Sequence, residues 1–122
     1  MRHTTLVLLV AGCATLPDDP GSHPEASAPL SCVGTAQCDV YWQRAQAWVA
    51  NASSYRLSVV TSTVIETYGP TPGKQDLAFR VTKIPRASGG ADIVIVANCD
   101  NAFGCIPRRT DAIVDFKRFV RN

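Results

Sequence analysis

The chain has few of the groups that most enzymes rely on. Of its 122 residues only two are histidine, His3 and His23, and both precede Ser31, so the stretch from Ser31 to Asn122 contains none. A hydroxyl nucleophile needs a base, and a Ser-His-Asp arrangement therefore has no base in that stretch. A cysteine nucleophile is equally short of its usual partner. Cys-x-x-Cys does not occur, which removes the common redox motif. No apolar run approaches 18 residues, so no segment reads as a membrane-spanning helix. Charge of one sign is also scarce. The formal balance is +2 overall, and residues 31–122 carry eleven Lys or Arg against seven Asp or Glu. Nucleic-acid binders concentrate basic charge far more strongly, so that partner class is set aside.

What is present begins at the N terminus. Arg2 and His3 precede the apolar run Leu6-Val7-Leu8-Leu9-Val10, and Ala11-Gly12-Cys13 follow. A basic start, a short apolar core and small residues before a cut are the marks of a secretory signal. Val10-Ala11-Gly12-Cys13 resembles the lipobox of bacterial lipoproteins, in which cleavage before the cysteine leaves it acylated. Residues 1–12 are thus expected to be a signal peptide and Cys13 the lipidated residue, since two or three acyl chains hold a membrane stably where one binds marginally. Ala14 and Thr15 follow the cysteine rather than Asp, which favours the outer membrane, facing the periplasm, over the inner one. Pro17, Pro20, Pro24 and Pro29, with Gly21, Ser22 and Ser27, make residues 13–30 a lipidated cysteine and flexible tether, because such a composition buries too little surface to offset its ordering entropy.

Residues 31–122 are expected to form one domain. Its four cysteines, Cys32, Cys38, Cys99 and Cys105, form two pairs that each enclose five residues. In an exported chain an even count reads as disulfides. Local pairing, Cys32 with Cys38 and Cys99 with Cys105, is favoured over the two crossed connectivities. A zinc site is disfavoured because its ligand pairs usually stand two to four residues apart. No metal and no cofactor are expected.

Tyr41, Trp42, Ala45, Trp48, Val49 and Ala52 recur at helical spacing, with Asp39 in the first turn. At that spacing the tryptophans are core residues in preference to a ligand-stacking platform. Residues 55–59, 63–68 and 77–84 read as strands, and Ile93-Val94-Ile95-Val96-Ala97 as the most buried strand of the sheet. Thr110 is the expected N-cap of a closing helix with Ala112, Ile113, Phe116, Phe119 and Val120 on one face. The fold class is α+β: a small antiparallel sheet of three or four strands, with an N-terminal and a C-terminal helix packed on it.

The segments Cys38-Asp39-Val40-Tyr41-Trp42-Gln43-Arg44-Ala45-Gln46-Ala47-Trp48, Val64-Ile65-Glu66-Thr67-Tyr68-Gly69-Pro70 and Cys99-Asp100-Asn101-Ala102-Phe103-Gly104-Cys105, behind a lipobox, look like a group of small uncharacterised proteobacterial lipoproteins. The resemblance implies an envelope location and a lipid anchor, with no catalytic residues to carry over.

Two kinds of function remain. The favoured one is a non-enzymatic binding or accessory module whose partner is an envelope protein or the cell wall. Its expected contact surface is Phe103, on a loop pinned by Cys99 and Cys105, with Arg108 and Arg109 beside it. Lys117, Arg118 and Arg121 extend the basic character toward anionic head groups, although cations in a last helical turn also suit the helix dipole. The alternative is a peptidoglycan hydrolase in which Glu66 works with Asp76, Asp92 or Asp100.

Overall fold

The computed structural model describes residues 23–122. Along the chain come α1 (Pro24–Ser27), β1 (Leu30–Cys32), α2 (Gly34–Ala52), β2 (Leu57–Val60), β3 (Val64–Thr67), β4 (Ala78–Pro85), β5 (Ala91–Asn98) and α3 (Arg109–Arg121). The strands form a five-stranded antiparallel sheet in the order β1-β5-β4-β3-β2. Strands β2 to β5 follow one another as a meander, joined by the short connections 61–63 and 86–90 and by the longer segment 68–77. Since β1 and β2 lie on opposite edges, α2 crosses the sheet between them and packs with α3 on the same face.

The fold is α+β, with one strand more than expected. That strand, β1, lies in the stretch read as the end of the tether, and three residues are too few to show a period. Leu30 stands opposite Ile93 and Cys32 opposite Ala91, and all four are buried. Gly90 makes the approach feasible, because a Cβ there would lie 2.4 Å from the carbonyl oxygen of Cys32. Regular structure is therefore present before Ser31: Pro24–Ser27 are helix and Leu30–Cys32 are strand. His23 belongs to this ordered part as well, its Nδ1 accepting the N–H of Glu25 at 3.2 Å to cap α1, so the described fold does contain a histidine. The expected signal peptide, Cys13 and residues 14–22 of the expected tether lie outside the described residues.

The core forms where the helices meet the sheet. Trp42, Ala45, Trp48 and Val49 of α2 and Ala112, Ile113, Phe116 and Val120 of α3 are buried against Ile65, Phe79, Val81, Ile93 and Ile95. Trp48 packs edge-to-face on Phe79 and Phe116, with centroids 5.1 and 5.3 Å away. Such pairs add to the stabilisation from buried area alone. The indole of Trp42 donates to the carbonyl of Thr61 at 3.0 Å, tying α2 to the β2–β3 turn.

Several local expectations are corrected. The run 93–97 is buried on one face only: Ile93, Ile95 and Ala97 point to the helices, while Val94 and Val96 are exposed, because both helices cover the same side. Ala52, the last residue of α2, and Phe119 of α3 are exposed as well. Helix α2 starts at Gly34, which moves Asp39 beyond the first turn, and Gln37 reaches back to accept the N–H of Val33 at 2.7 Å. Arg108, not Thr110, occupies the N-cap of α3; the Thr110 hydroxyl is buried without a hydrogen-bond partner among the described residues.

Candidate functional site

Between β5 and α3 the chain forms the stapled loop. Both disulfides are local, Cys32–Cys38 and Cys99–Cys105, with Cα separations of 5.1 and 5.7 Å. All four domain cysteines are thereby used, and among the described residues no cluster of His, Cys, Asp or Glu is arranged to hold a metal ion. Inside the second staple, Asn101 Oδ1 accepts the N–H of Phe103 at 2.8 Å, and Gly104 turns the chain with φ +94°. The loop is also sewn to the segment before β4. Gly73 N–H donates to the Asp100 carbonyl at 2.8 Å, Asn101 Nδ2 to the Gly73 carbonyl at 2.9 Å, Gln75 Nε2 to the Gly104 carbonyl at 3.2 Å, and Ile106 N–H to the Gln75 carbonyl at 2.9 Å. A backbone held at so many points presents its side chains with little ordering cost on contact.

Phe103 points outward and is 93% exposed, and Ile106 beside it is 67% exposed. An aromatic side chain inside the staple and an aliphatic one just after it are thus both open to solvent. Arg108 follows it and is paired with Asp111 at 3.0 Å; Arg109 is half-buried.

The other cations go elsewhere. Lys117 is 7% exposed, and its Nζ donates to the carbonyls of Ala26 and Ala28 at 2.6 and 2.5 Å. Burial pushes its pKa below the ordinary lysine value, and the nearby Arg121 adds to the shift. Arg118 makes two bonds of 2.6 Å to Glu25, which hold the Glu25 carboxyl below its usual range and raise the arginine. Arg121 donates to the Pro29 carbonyl at 3.1 Å. These three cations fasten the N-terminal segment to α3. Ten residues of helix, roughly 15 Å, separate Arg118 from Arg108, so the basic residues form two sets.

Glu66 pairs across strands with Arg80 at 3.0 Å. The cavity beside it, about 210 Å³, is lined by Arg80, Thr67, Pro70 and Asn98 among others, with no second carboxylate among the described residues. Arg80 stands opposite Val96, and Asp92 lies four residues further along β5. At about 3.3 Å per residue and about 4.8 Å per strand, the Cα atoms of Glu66 and Asp92 are roughly 16 Å apart. Asp92 is itself engaged by Ser31 and Arg86, which lower its pKa. Asp76 accepts from Ser54 at 3.1 Å, and Asp100 sits in the stapled loop. The structure brings Glu66 to an arginine, not to a second acid.

Three features had no usable signal in the sequence: the burial of Lys117, the joining of the 69–76 segment to the stapled loop, and the bond from Trp48 Nε1 to Asp115 at 2.9 Å. Each depends on residues far apart in the chain. Among the described residues no helix is long and apolar enough to cross a membrane. No family model matches the chain. Curated proteins and solved structures give no match either.

Proposed function

We propose that the protein is a lipid-anchored component of the bacterial envelope, held at Cys13 and facing the periplasm from the outer membrane, and that it works by binding another envelope component through its stapled loop. The observation that carries the binding reading is the near-complete exposure of Phe103 on a loop fixed by a disulfide and by hydrogen bonds to Gly73 and Gln75. A large apolar side chain on a rigid support is the kind of anchor on which contact energy concentrates. The anchor reading rests on Val10-Ala11-Gly12-Cys13 and the apolar run before it. The pairing of Glu66 with Arg80, and its distance from Asp92, favours this reading over the hydrolase.

In-cell crosslinking followed by membrane fractionation of the native chain, Cys13→Ser and Phe103→Ala tests both halves. The native chain gives a membrane-bound crosslinked species. Cys13→Ser releases the protein from washed membranes, while Phe103→Ala stays in the membrane and loses the species. Retention of Cys13→Ser, or undiminished crosslinking by Phe103→Ala, contradicts the proposal. A peptidoglycan-clearing band that Glu66→Gln abolishes would favour the hydrolase.

A further inference from the structure

Near the end of α2 and the start of α3 lies a cavity of about 380 Å³. Trp48, Phe79 and Pro107 contribute apolar lining, and Asp111 and Asp115 contribute carboxylates. Its volume falls within the range of about 300–1,000 Å³ typical of small-ligand sites. The two acids stand four residues apart on α3, a spacing that places side chains on one face of a helix. Each is already positioned: Asp115 by the indole N–H of Trp48 at 2.9 Å, Asp111 by Arg108 Nε at 3.0 Å. A carboxylate offers about four acceptor positions, so one N–H apiece leaves both able to accept more.

Two exposed carboxylates on one helix face beside an aromatic lining select a donor with a short apolar body and disfavour an anion. Arg108 shares Asp111, and Arg118 feels the charge of Asp115 but is committed to Glu25 through two bonds. Aromatic rings favour a cation near them as well. We propose that this cavity binds a primary alkylammonium group, with its methylenes against Trp48, Phe79 and Pro107 and its nitrogen between Asp111 and Asp115. The inference does not involve Phe103 and stands apart from the role proposed for the stapled loop.

The test is a titration of the ¹⁵N-labelled chain, followed at the indole N–H resonance of Trp48, with n-butylammonium, n-butanol and butyrate. The expected result is a saturable shift with butylammonium, its midpoint on the order of millimolar for so small a probe, and none with the other two. Asp111→Asn leaves the Trp48–Asp115 bond in place, so the starting resonance reports that the variant is folded; it should weaken binding about 1.5- to fivefold, as for an exposed charge contact. Nα-acetyl-lysine methylamide distinguishes the source of the group. Binding at least as tight as butylammonium identifies a lysine side chain of a protein or peptide, and binding of butylammonium alone identifies a free amine. An unsaturable or absent shift, an equal response to butanol, or unchanged affinity in Asp111→Asn overturns the proposal.

Discussion

Trp48 on α2 donates its indole N–H to Asp115 on α3 at 2.9 Å while its ring lies edge-to-face against Phe79 of β4 and Phe116 of α3. One residue thus sets the position of both helices over the sheet. Trp48→Phe keeps most of the ring contact and loses the donor, so it should cost about 1–2 kcal/mol. Trp48→Ala also opens a core cavity and should cost about 3–5 kcal/mol. Urea denaturation of the two variants checks the order, and equal costs would mean that the polar bond, not the packing, dominates.

Lys117 gives a pH signature. Burial lowers its pKa in the folded state below the ordinary value of 10.5, so the unfolded chain holds this proton more tightly. Stability should therefore rise as pH climbs through the folded-state pKa and level off near 10.5, where the unfolded chain also loses the proton. The difference in unfolding free energy between the native chain and Lys117→Met isolates the effect from the tyrosines, and it should shift in favour of the native chain as pH rises over that window. A pH-independent difference would show that the ammonium is not buried in solution.

Each disulfide spans a sequence separation of 6. Closing so short a loop stabilises by about 2 kcal/mol in the chain-entropy model. Replacing Cys99 and Cys105 together by Ala should lower stability by about that amount with little change in far-UV circular dichroism, because the staple fixes the end of β5 and does not join distant elements. Protease cleavage between Cys38 and Cys99 should separate the halves without reductant; halves that remain linked would mean crossed bridges.

Gly90→Ala should loosen one edge strand. A Cβ at position 90 would meet the Cys32 carbonyl oxygen at 2.4 Å, so β1 must shift away from β5, at about 1–3 kcal/mol. Hydrogen exchange at residues 30–32 and 91–93 should accelerate selectively. Unchanged protection there would contradict the close approach.

What was legible in the sequence were the features written in local periods. Trp42, Trp48 and Val49 at helical spacing located the packed face of α2, the alternation of Leu77, Phe79 and Val81 located the buried face at the start of β4, and equal cysteine spacing pointed to the staples. The run 93–97 misled because apolar residues on both faces read as double burial, whereas both helices lie on one side and leave Val94 and Val96 exposed. Leu30–Cys32 escaped notice because a three-residue strand depends on its partner β5 and on Gly90, not on its own composition. At the candidate site, the loop and its aromatic residue could be read from the cysteines, but the direction of Phe103 could not. The loop that carries it is held by bonds to Gly73 and Gln75, whose nearness is a property of the fold.

The most direct measurement is site-specific photocrosslinking in cells, with a photoreactive phenylalanine analogue placed at position 103 and, as a control, at the exposed α2 position Gln46. A discrete crosslinked band is expected from position 103 and none from position 46. A band of the same mass and yield from both positions, or no band from position 103, would contradict the claim that the stapled loop is the contact surface.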